Sequence, residues 1–172
     1  MQEEQIIQAV HAATAEVFST MLGVEIESAP VHIDRSNPSI IEGLMAFVGI
    51  SGSWVGSGMI SCTAAFACRI CELFLMTEAS AVNEEVLDAV GELTNMIIGN
   101  FKTAAEAEVG SLNLSVPTVI YGKNFMSKSL GNKDWLVMPF KCGDDTFEIR
   151  VWLAPATESN TTRHIVNHMQ TI

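Results

Sequence analysis

Asp88, Glu92 and Asn95 stand at i, i+4 and i+7 in the stretch NEEVLDAVGELTNMIIGNFKTAAEAEVG, residues 83–110. At roughly 100° per residue, these three and Gly99 fall within about 60° of one another on a helix. A carboxylate beside a carboxamide offers a charged group next to one that donates and accepts hydrogen bonds without being a base. Asparagine is a poor interior helix former, and Gly91 and Gly99 each cost a helix roughly 1 kcal/mol against alanine. The face therefore works against the element that carries it, and such local inconsistency is where functional sites tend to lie. Because the glycines sit beside or on this polar face, close approach by something external accounts for them better than packing in the chain's own core. The plain alternative is a solvated face that happens to carry these residues.

The helix itself is well signalled. Asn83 is a good N-cap, and Glu84 and Glu85 put negative charge in the first turn, where the helix dipole favours it. Val86, Leu87, Val90, Leu93, Ile97 and Phe101 recur at three- and four-residue spacing, and Gly110 supplies a stop. Upstream, residues 2–22 form a first amphipathic helix ended by Gly23, followed by strand-like runs in VEIESAPVHI, SIIEGLMAFVGI and WVGSGMIS. Pro30 marks an edge or bulge in the first of these, and DRSNPS after it is turn chemistry. The glycines at 49, 52, 56 and 58 match neither a dinucleotide fingerprint nor a phosphate-binding loop, so they read as hairpin and strand glycines. Thr63 caps a second helix, AAFACRICELFLM, apolar nearly all round and therefore expected to be buried.

After Gly110 come LNLSVPTVIYG, with Pro117 inside it, a polar loop KNFMSKSLGNKD, and the runs DWLVMPFKCG and DTFEIRVWLAP joined by a Gly-Asp-Asp turn. The order predicts an α+β fold, with a six-stranded antiparallel or mixed sheet covered by long helices. A unit of helix plus three strands occurs twice in it, with one helix inserted. One domain over residues 1–155 and a tail over 156–172 is the expected division.

Composition narrows the function classes. A net charge of −11 over 172 residues disfavours nucleic acid and anionic membranes as partners. Hydrophobic residues make up 48 %, too many for a disordered chain. No apolar run has the length of a membrane span, and the acidic start MQEEQ lacks the plan of a signal peptide, so a cytoplasmic protein is expected. Cys62, Cys68, Cys71 and Cys142 fit a reducing compartment. Cys68 and Cys71 form a CxxC pair without a second close pair, so they read as packed thiols rather than zinc ligands. His164 and His168 lack a third ligand and read as surface or packing residues. His11 and His32 have no identifiable acid-base partner.

The run Asp88-x3-Glu92-x2-Asn95, with Pro117 standing 22 positions after Asn95, resembles the signature of the CheC/CheX/FliY phosphatases of bacterial chemotaxis. DAVGELTNMIIGN and LSVPTVIYG are most similar to the CheX branch, which carries one copy of the motif. The resemblance implies hydrolysis of the aspartyl phosphate on a CheY-like response regulator. Glu92 would then pair with the regulator's lysine, and Asn95 would enter its active site to orient the attacking water. Asp88 would support them, and Pro117 would fix the strand beside the helix. Gly91 and Gly99 would let the helix press into the regulator.

No cofactor of the protein's own is implied, since Mg²⁺ is expected on the regulator. The counterpart in the first helix is Glu16-x2-Ser19, which lacks the amide, with Ile41 where the proline would stand. One working site per chain is therefore expected. The resemblance also implies a homodimer, paired through edge strands such as those near Trp135–Trp152. Two other functions compete: a non-catalytic module that binds a receiver or flagellar-switch component, and a zinc protein built on Cys68 and Cys71.

Overall fold

Pro30 and Pro117 each divide a strand-forming run in two, because proline has no N–H to give to a ladder. The six expected runs therefore become eight strands. The computed structural model describes residues 1–35, 39–127 and 134–156. Its elements are α1 (Glu3–Val17), β1 (Glu27–Ser28), β2 (His32–Arg35), β3 (Ser39–Gly52), β4 (Trp54–Cys62), α2 (Ala64–Leu75), α3 (Glu84–Val109), β5 (Leu112–Leu114), β6 (Thr118–Ser127), β7 (Asp134–Cys142) and β8 (Asp145–Pro155). A π-helical turn, Phe18–Leu22, follows α1 and closes on Gly23 in the left-handed region.

All the pairings are antiparallel. β1 and β2 share the place beside β7, and β5 and β6 share the place beside β3, so eight strands fill six ranks. The order is β1/β2, β7, β8, β4, β3, β5/β6. Exchanging each strand for its counterpart in the other half reverses this order onto itself, which places a pseudo-twofold axis between β4 and β8. The repeat expected from element order is thus also a repeat of pairing. It makes Pro30, between β1 and β2, the topological counterpart of Pro117, between β5 and β6; Ile41 lies instead within β3.

The helices cover one face. Leu44, Ala46, Val48, Ile60, Met138, Phe140, Phe147, Ile149 and Val151 of the sheet are buried in one cluster with Ile6, Val10 and Val17 of α1 and Val86, Val90, Leu93, Ile97, Ile98 and Phe101 of α3; α3 lies over β3, β4 and β6, and α1 over β7. Gly58 lets this layer close: a Cβ there would stand 2.3 Å from Cδ1 of Ile98, so α3 rests directly on β4. The Phe147 ring stacks with those of Phe18, Phe66 and Phe140, with centroids 4.7 Å apart for Phe18 and Phe147. They join the π-turn, α2 and the β7–β8 hairpin.

Three expectations need correction. α2 is buried on one side only, through Phe66, Ala67, Cys68, Ile70 and Cys71, while Leu75 and the following Met76 are exposed. It packs against α3, β3 and the π-turn, and Arg69 on it pairs with Asp145 of β8 at 2.7 Å. Lys123–Ser127 are not loop; β6 continues through them along β3 with a bulge at Gly43. The strands carrying Trp135 and Trp152 are not edges, since β7 lies between β2 and β8, and β8 between β7 and β4. Among the described residues the strands with a single neighbour are β1, β2, β5 and β6. The tail beyond residue 156, with His164 and His168, and residues 36–38 and 128–133 lie outside the described residues.

Candidate functional site

α3 begins as its sequence dictates. The Asn83 side chain accepts the Val86 N–H at 3.0 Å, with Glu84 and Glu85 in the first turn. Its far end is tied to β5 through Glu106, which accepts the Leu112 N–H at 2.9 Å and pairs with Lys102 at 3.0 Å. Those two contacts, the backbone N–H foremost, hold the Glu106 carboxyl below the usual carboxylate range. A helix fixed at both ends and bedded along its apolar side presents its remaining face rigidly.

That face carries the motif. Asp88 and Glu92 are exposed, and Asn95 and Gly99 are half-buried. None of the Asp88, Glu92 and Asn95 side chains makes a hydrogen bond or ion pair to another described residue. Beneath them, the Thr94 hydroxyl donates to the Val90 carbonyl at 2.7 Å, which leaves it no part on the outer face. A Cβ at Gly99 would meet nothing within 4 Å, so the strip stays open there.

Gly91 is different. It is buried, and a Cβ there would lie 3.2 Å from Val119 and 3.8 Å from the Pro117 ring. The chain's own packing explains this glycine, contrary to the reading that close approach by an outside partner accounts for it better. It lets the β5–β6 connection come against α3, with Pro117 at the contact. On the opposite flank, Asn100 donates to Glu16 of α1 at 3.4 Å. The open strip thus runs between α1 on one side and the Pro117 connection on the other.

Three depressions of the surface lie away from the strip. The depression between the start of α2 and β6, around Thr63, Ala64, Tyr121 and Lys123, includes none of its residues. Neither does the one around Cys68, Arg69 and Tyr121, nor the one around Ser61, Lys141 and Arg150. Side chains on an outer helix face, with Asp88 and Glu92 exposed, can reach a pocket on another molecule. Among the described residues no three His, Cys, Asp or Glu side chains converge to hold a metal ion. The four cysteines are free and buried, and burial pushes the Cys62 thiol up to about 12.

Comparison with known proteins decides the family. The model described as chemotaxis phosphatase CheX matches residues 44–141, more than half of the chain and all of the motif. The chain belongs to the CheX family. It is 27 % identical over 131 residues to a Thermotoga maritima protein named CheY-P phosphatase CheX, covering 75 % of this chain and 83 % of that one. The CheX structure from Desulfovibrio desulfuricans superposes with a TM-score of 0.78 at 26 % identity, covering 87 % of this chain and 99 % of that one. A Borrelia burgdorferi CheX, solved in complex with CheY, BeF3 and Mg, superposes with a TM-score of 0.70 at 25 % identity, covering 86 % and 96 %. The CheC-like fold and the family resemblance carried by the α3 motif are both borne out. No helix among the described residues is long and apolar enough to cross a membrane.

Sequence reasoning missed what flanks the strip. Ser115 and Val116, just before Pro117, and the Asn100–Glu16 link depend on chain segments far apart in sequence. Only the proline signalled an ordered connection there.

Proposed function

We propose that this protein hydrolyses the aspartyl phosphate of a CheY-like receiver domain by inserting Glu92 and Asn95 into the receiver's active site. The observation that carries this reading is a carboxylate and an amide, one turn apart and unpartnered among the described residues, on an open face of a helix fixed at both ends. The Thermotoga and Borrelia relatives support the receiver as substrate.

An acyl phosphate asks little covalent help of an enzyme. Its transition state is stabilised by charge and by placing the nucleophile in line with the leaving carboxylate. The receiver supplies the Mg²⁺ and the lysine. Glu92 pairs with that lysine and sets the register between the two proteins. The Asn95 amide then accepts a hydrogen bond from the attacking water and holds it toward phosphorus; water adds as the P–O bond to the aspartate breaks. Positioning of this kind contributes roughly 2–4 kcal/mol, or about 30- to 1000-fold in rate.

The test is phosphate release from an acetyl-phosphate-loaded receiver. Asn95→Ala should lower the rate by about 30-fold or more at saturating receiver, with thermal unfolding unchanged. Equal rates for the two proteins would remove the amide from the chemistry and leave a receiver-binding module, the function the same surface would serve without hydrolysis.

A further inference from the structure

Val116 is a valine with 83 % of its surface exposed, yet it stands on a connection tied down by hydrogen bonds. The Ser115 N–H donates to the Gly49 carbonyl at 2.9 Å. The Ser115 hydroxyl accepts the Gly49 N–H at 2.9 Å and donates to the Val116 carbonyl at 2.8 Å. Preceding a proline, Val116 is confined to extended backbone. The proline itself is packed against Gly91 of α3, one residue from Glu92. An exposed apolar side chain held in place from both sides has lost its backbone freedom before any partner arrives. That is how a binding anchor is built.

We propose that Val116 is an apolar anchor for the receiver domain, seated on an apolar patch of the receiver beside the pocket that Asn95 enters. The inference rests on the function proposed above and adds a determinant of which receiver is chosen. Glu92 supplies charge recognition, which steers and orients; Val116 supplies contact that only a receiver with an apolar surface at that place rewards. Through Pro117 and Gly91 the anchor and the catalytic face belong to one rigid unit, so seating one positions the other.

The experiment measures phosphate release against receiver concentration for wild type, Val116→Ser, Val116→Asp, Val116→Ile and Asn95→Ala. Losing the burial of a valine should raise KM about tenfold or more in Val116→Ser and further in Val116→Asp, with kcat retained. Val116→Ile should keep the wild-type KM, and all three should unfold at the wild-type temperature. Asn95→Ala should instead lose kcat. A KM unchanged in both polar variants, with wild-type turnover intact, overturns the anchor and leaves the phosphatase reading standing. Loss of kcat without a rise in KM also overturns it. A wild-type protein that neither hydrolyses nor binds the phosphorylated receiver overturns both.

Discussion

Gly99 and Gly91 show how one residue type on one helix answers to two causes. Gly91 is enclosed by Val119 and Pro117, and its missing side chain serves the fold. Gly99 has open space where its Cβ would be, so nothing among the described residues asks for glycine there. Gly99→Ala should therefore stabilise the protein by up to about 1 kcal/mol, the helix propensity difference, read as a rise of a few degrees in thermal unfolding. The added methyl stands on the strip proposed to meet the receiver, so the same variant should lose phosphatase efficiency. A variant both more stable and fully active would mean that no close approach happens at this turn. The two glycines read alike from periodicity alone, since their difference comes from β6, whose position depends on its pairing with β3.

Elements were legible where the signals were local. The Asn83 cap, the apolar stripe of α3 and the Gly110 stop predicted that helix to within a residue of its observed ends. Strand breaks at Pro30 and Pro117 needed pairing partners before they meant two strands instead of one irregular strand. The one-sided burial of α2 could not be read from composition, because an all-apolar helix does not say which side is covered. His11 on α1 belongs to the same class. Its ring meets Phe140 of β7 edge-on at 5.2 Å, and its Nε2 is buried without a hydrogen-bond partner. Burial lowers its pKa below the ordinary imidazole value, so folding favours the neutral ring. The stability this gives is complete above about pH 6.5 and is lost as pH falls through the lowered folded value. In urea unfolding, the gap between wild type and His11→Phe should therefore shift against wild type on acidification. A gap that stays constant with pH would show that His11 titrates alike folded and unfolded.

At the scale of the whole molecule, a pseudo-symmetric fold carries an asymmetric motif. The axis between β4 and β8 pairs α1 with α3, but Glu16 and Ser19, the nearest sequence match in α1 to Glu92 and Asn95, lie nearer the helix end than those two: Ser19 stands eleven positions before Pro30, where Asn95 stands 22 before Pro117. Three features set the halves apart. α1 gives way to the π-turn at Phe18, so Ser19 is wound on a wider turn and does not stand over Glu16 as Asn95 stands over Glu92. Glu16 is already engaged by Asn100 of α3, and Ser19 lacks an amide. Changing the side chain alone should thus fail to make a second site. Adding Ser19→Asn to Asn95→Ala is expected to leave phosphate release at the level of Asn95→Ala alone, with the fold intact by circular dichroism. Recovery toward the wild-type rate would show that the α1 half keeps a working geometry and that one side chain, not the winding of the helix, silences it.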